Sequence, residues 1–140
     1  MTFELPRGLI LAGALIIGLL GSVHLVYTFF TGKFLPRDRA LVDAMKATSP
    51  VLTRQTTMWK AWIGFNASHS LGAILFGALY FLLAARHMEL LARAPELLTV
   101  GLAALLAYLW LAHAYWFRVP FTGIAISAAC FIAAAILMVI

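Results

Sequence analysis

Residues 58–85 read MWKAWIGFNASHSLGAILFGALYFLLAA. Their second half is uniformly apolar, and the whole run exceeds the roughly 20 residues a helix needs to cross a bilayer. Yet the first half places Asn66, Ser68, His69 and Ser70 inside the same span. Hydrocarbon offers such groups no hydrogen-bond partner. A helix that enters lipid with Asn66 and His69 must therefore find partners on other helices. The stretch reads as one member of a membrane helix bundle.

The rest of the chain agrees. Of its 140 residues, 64% are hydrophobic and 11% charged, with a mean hydropathy of +1.01. A soluble domain averages about 45–50% apolar and about 25% charged. Three further runs reach spanning length, at about residues 9–30, 97–117 and 121–140. The expected fold is all-α, a four-transmembrane-helix bundle forming a single integral membrane domain over residues 1–140. The first run follows a weakly charged start and shows no small-residue cleavage site, so a retained helix is expected rather than a removed signal peptide. RVP at residues 118–120 reads as a tight turn that makes the third and fourth spans antiparallel neighbours.

The long first loop, residues 31–57, has its own helical logic. In PRDRALVDAMKATSP, Pro36 suits a first helical turn and Pro50 a stop. Leu41, Ala44, Met45 and Thr48 fall on one side, with Arg39, Asp43 and Lys46 on another. A short amphipathic helix on the membrane surface is expected. Lys33, Arg37, Arg39, Lys46, Arg54, Lys60 and Arg118 lie on the side of this loop, against Arg7, Arg86 and Arg93 on the other. The positive-inside rule then expects the loop in the cytoplasm and both termini outside. The net charge of +5 is a topology signal, and no nucleic-acid partner is expected.

Within residues 58–85, Gly64, Ser68 and Gly72 form a small-xxx-small ladder suited to close helix packing. Trp62, Asn66, His69 and Ala73 fall on nearly the opposite side. The other spans supply matching polar groups: His24, Tyr27 and Thr28 within one turn of the first, His113 in the third, and Thr122, Gly123 and Ser127 in the fourth. At 1.5 Å per residue, His24 lies roughly 9 Å from its span end, Asn66 roughly 12 Å and His69 roughly 16 Å. Ionisable residues within spans mark pathways or ligands. The candidate ligand-binding residues are thus His24, Tyr27, Thr28, Trp62, Asn66, His69, Ser70 and His113.

Several chemistries are weakened by what is missing. Asp and Glu are absent from all four spans, which disfavours a hard-cation site. No HxxxH or HxxE pattern supports a compact metal centre. His24 and His69 remain the metal candidates, and the same pair could ligate a haem, with only Arg54, Lys60 and Arg118 to meet its propionates. Ser68, His69 and Ser70 are adjacent, but nothing orients a base toward a nucleophile. Cys130 is the single cysteine and reads as a small packing residue. His87 reads as solvated.

GSVHLVYTFF at 21–30, FLPRD at 34–38 and TRQTTMWKAWIGFNASHSLG at 53–72 together resemble an uncharacterised family of small bacterial four-span membrane proteins. The resemblance covers most of the chain, with the second span its most distinctive piece. It implies a fold and a place in the bacterial inner membrane, and no activity. The residues point to small-ligand binding or an accessory role in a membrane system rather than to a reaction. A haem- or metal-binding redox module is one alternative. A structural subunit of a homo-oligomer or larger membrane complex is another, with the polar residues serving as glue between helices.

Overall fold

A computed structural model of the chain describes residues 3–139. Among the described residues there are six α-helices and no strand: α1 Glu4–Phe30, α2 Arg39–Ala47, α3 Met58–Arg86, α4 Met88–Arg93, α5 Pro95–Tyr115 and α6 Arg118–Val139. The helices α1, α3, α5 and α6 have 27, 29, 21 and 22 residues and are apolar enough to span. At 1.5 Å per residue, even the shortest covers the roughly 30 Å hydrocarbon layer. The protein is an integral, multi-pass membrane protein.

The ends of these helices follow from proline and capping chemistry. Pro6, Pro95 and Pro120 all sit in first turns, where a missing N–H costs no intrahelical bond. For that reason RVP is not the turn expected from the sequence. Arg118–Pro120 open α6, and Trp116 and Phe117 alone make the connection from α5. The second loop, read as merely short and charge-balanced, contains α4, with Arg93 bonded to Glu89 at 3.3 Å on an exposed face. His87, just before α4, is exposed.

Contacts divide the chain into two compact units, Met1–Leu20 with Ala73–Ile140, and Gly21–Gly72. In the first, the core runs along single stripes: Ile10, Ala14 and Ile17 on α1, Ala73, Tyr80 and Ala84 on α3, Leu98, Leu105 and Ala112 on α5, and Ile124, Ala128, Phe131 and Ala134 on α6. Small residues let these stripes close. A Cβ on Gly77 would lie 2.7 Å from Ala14 O and from Gly18 N, so α1 and α3 touch backbone to backbone there. A Cβ on Gly13 would meet the Phe131 ring at 2.9 Å. Beside it the buried Ser127 hydroxyl donates to Gly13 O at 2.9 Å. Tyr80 donates to Leu97 O at 2.6 Å, lies against Gly101 and packs edge-on to Phe131. Arg7 Nη2 donates to Ala85 O at 2.8 Å, meeting one of the carbonyls that the C-terminus of α3 leaves open.

The ladder expected to pack α3 is not the one that does so within this chain. Gly64, Ser68 and Gly72 are exposed, and a Cβ on Gly64 would meet nothing within 4 Å. The contact uses Ala73 and Gly77 instead, matched on α1 by Ala14 and Gly18, because both partners must be small at one level for backbones to meet.

In the second unit, α2 is capped by Asp38, whose carboxylate accepts from Ala40 N at 2.9 Å. Its far end is tied down where Met58 N donates to Thr48 O at 2.8 Å. The helix is amphipathic, but its buried face differs from the expected one. Val42 is buried and Met45 half-buried, while Leu41, Ala44 and Thr48 are exposed. Apolar periodicity over nine residues is too short to fix which side of α2 packs.

Candidate functional site

All but one of the candidate ligand-binding residues belong to the unit Gly21–Gly72. The last two turns of α1 present His24, Tyr27 and Thr28 at i, i+3 and i+4, hence on one face. The first four turns of α3 present Trp62, Asn66, His69 and Ser70. His24 Nε2 and Asn66 Oδ1 are 3.0 Å apart, which joins the two helices by a side-chain hydrogen bond.

The direction of that bond can be derived. Asn66 Nδ2 donates to Trp62 O at 2.8 Å, one turn back on its own helix. The amide is thereby oriented, and Oδ1 is the atom that faces His24. An amide oxygen only accepts, so His24 Nε2 must carry the hydrogen and donate it. A neutral His24 then keeps its lone pair on Nδ1, where it can accept a hydrogen bond or coordinate. The His69 ring lies edge-on to His24, with centroids 5.3 Å apart and planes at 74°.

The hydroxyls around the pair are spent locally. Thr28 is buried and donates to His24 O at 2.8 Å, and Ser70 is fully buried and donates to Asn66 O at 2.9 Å. Each bond returns to the helix's own carbonyl and holds the turn that carries His24 or Asn66. Trp62 is exposed, and its contribution to the cluster is its carbonyl. Among the described residues no buried side-chain N or O lacks a partner.

Phe34 is the residue that sequence reasoning missed. Its ring sits 4.5 Å from the His24 ring and 6.4 Å from that of Tyr27, whose face also receives Lys33 Nζ at 4.9 Å. The chain turns back after α1, with Leu35 N donating to Gly32 O at 3.1 Å, and this return delivers Phe34. The signal was the short GKFLP segment, in which Gly32 and Pro36 bracket a turn carrying one large ring. His113 is placed elsewhere. It lies in the other unit, on the last turn of α5, exposed and 6.0 Å from the Phe121 ring.

Among the described residues no group of three or more His, Cys, Asp or Glu side chains converges as metal ligands. His24 and His69 form a pair in ring contact, which leaves no slot between them for a planar macrocycle. A haem held by both as axial ligands does not fit this geometry. The arrangement can do something simpler: it offers one oriented imidazole acceptor, a second imidazole beside it and an aromatic wall. Comparison of the chain with protein-family models, curated proteins and solved structures returns no match.

Proposed function

We propose that this is a multi-pass protein of the bacterial inner membrane, of the four-span kind its motifs resemble, and that the His24–Asn66–His69 cluster binds a small polar ligand. The ligand donates a hydrogen bond to His24 Nδ1 and lays an apolar face against Phe34. The observation that carries this reading is the 3.0 Å bond from His24 to an Asn66 already fixed by Trp62 O. With the amide held from behind, Oδ1 faces His24 and the imidazole is oriented before a ligand arrives, as a binding group requires.

Native mass spectrometry of protein released from its host membrane in mild detergent tests the reading. The expected spectrum shows a bound small molecule in the wild type, retained in Trp59→Ala and lost in His24→Leu. If no adduct appears, or if His24→Leu retains it, the cluster is not a binding site. A second reading has its own support, since Gly64, Ser68 and Gly72 present a small-residue face that this chain leaves open. An oligomer or hetero-complex in the same spectra, dissociated by Gly64→Leu, would favour an accessory subunit.

Orientation follows from charge. Seven Lys and Arg flank the ends of the spans on the side of the 31–57 loop and three flank the opposite ends, which supports a cytoplasmic loop and outer termini. Reporter fusions at Lys46 and at the C-terminus are expected to report cytoplasm and exterior, respectively. A cytoplasmic C-terminus would reverse the orientation and put the cluster toward the outer face.

A further inference from the structure

The loop between α2 and α3 presents apolar side chains where turn chemistry gives no reason for them. Its neck is closed by the bond from Met58 N to Thr48 O, so residues 48–58 form a clipped loop. Inside it, Thr53 N donates to Pro50 O at 3.2 Å, making a β-turn whose two central residues are Val51 and Leu52. Gln55 N then donates to Thr53 Oγ1 at 3.1 Å and fixes the exit. The loop is thus ordered by its own hydrogen bonds. It holds Val51 and Leu52 at its tip with relative exposures of 109% and 93%.

Central turn positions suit Gly, Asn, Asp and Pro, each for a backbone reason. Val and Leu offer no such reason, and both lose free energy by standing in water. Leu41 on α2 is exposed as well. Around these apolar groups the segment 31–60 carries Lys33, Arg37, Arg39, Lys46, Arg54 and Lys60 against only Asp38 and Asp43. Both ends of the segment are joined to spanning helices, at Phe30 and Met58. From Met58, Leu52 is reached by about 20 Å of chain at full extension, which keeps it near the headgroup layer.

We propose that the Val51–Leu52 tip is a lipid-insertion site, dipping into an anionic leaflet while the surrounding Lys and Arg side chains engage the lipid phosphates. Exposed aliphatics flanked by cations are the composition that binds such an interface, and each half alone binds weakly. The inference rests on the membrane fold and is independent of the His24 cluster.

The test places a nitrobenzoxadiazole label on Leu52→Cys in a Cys130→Ala background. The full chain is reconstituted, one copy per nanodisc, in phosphatidylcholine with or without about 30 mol% phosphatidylglycerol. The expected result is blue-shifted emission, quenching by lipids bearing an acyl-chain nitroxide and protection from aqueous iodide, all stronger with phosphatidylglycerol. Lys46→Gln and Arg54→Gln should each lower the insertion equilibrium about fivefold in the anionic discs and leave it unchanged in the neutral ones. Emission at the label's water value with full iodide access in both discs would overturn the proposal. So would a blue shift that nitroxide lipids do not quench, since the tip would then be covered by protein.

Discussion

Gly77→Leu is expected to lower the melting temperature in detergent by about 6–10 °C, while Gly64→Leu on the same helix leaves it unchanged or raises it by up to about 4 °C. Both substitutions replace a helical glycine by a better helix former, which by itself adds up to about 1 kcal/mol of stability. The difference between them therefore reads packing alone. At Gly77 the new Cβ falls 2.7 Å from Ala14 O and Gly18 N, and these are backbone atoms of α1 that no rotamer change can move. The helices must separate, and every contact along the Ala14–Gly18 level separates with them. Overpacking of this kind costs about 3 kcal/mol, at the upper end of the usual range. At Gly64 the Cβ enters open space. Thermal melts followed by intrinsic fluorescence rank the two variants. Equal losses would mean that the close approach at Gly77 does not hold the first unit together.

That contrast also marks where the sequence stops being readable. The number of spans follows from length and hydropathy, because a bilayer imposes one requirement on every helix. Which face of a span packs does not follow, because lipid is as apolar as a neighbouring helix and the stripe shows no contrast in hydrophobicity. On α3 two small-residue ladders compete, Gly64/Ser68/Gly72 and Ala73/Gly77, and only the partner decides between them. The deciding signal was Ala14 and Gly18 on α1, a small pair at i,i+4 that nothing in a single helix singles out. Polar residues within spans are more informative. Asn66 demanded a partner, His24 was one of few available, and the two are 3.0 Å apart. Phe34 escaped notice since a ring in a loop shows no periodicity. On α2 nine residues carry too little apolar periodicity to single out one face, and Val42 rather than Leu41 is buried.

Removing His24 and Asn66 together should cost less than the sum of removing each, by about 1 kcal/mol. In His24→Ala the Asn66 carbonyl loses its donor and stays between helices. In Asn66→Ala the His24 N–H loses its acceptor in the same place. Each single change is expected to cost about 1–2 kcal/mol, the range for interhelical hydrogen bonds in membranes. The double variant strands neither group, so one of the two penalties disappears. Half-burial of both residues places the coupling nearer the middle than the top of the measured membrane range, where about 1.7 kcal/mol is the maximum. Thr99→Ala supplies the control. Its hydroxyl donates to Pro95 O at 3.0 Å on an exposed turn of α5, in the other unit, so its effect should add to that of Asn66→Ala within about 0.5 kcal/mol. Stability alone would not separate an oriented imidazole from simple glue, so a second readout is needed. Nitrogen-15 shifts of the wild-type His24 ring should report hydrogen on Nε2 and a lone pair on Nδ1. Asn66→Ala should release that preference into a mixture of tautomers. A wild-type ring protonated on Nδ1, or strict additivity of the two substitutions, would break the derivation at its first step, because His24 would then not be donating to Asn66.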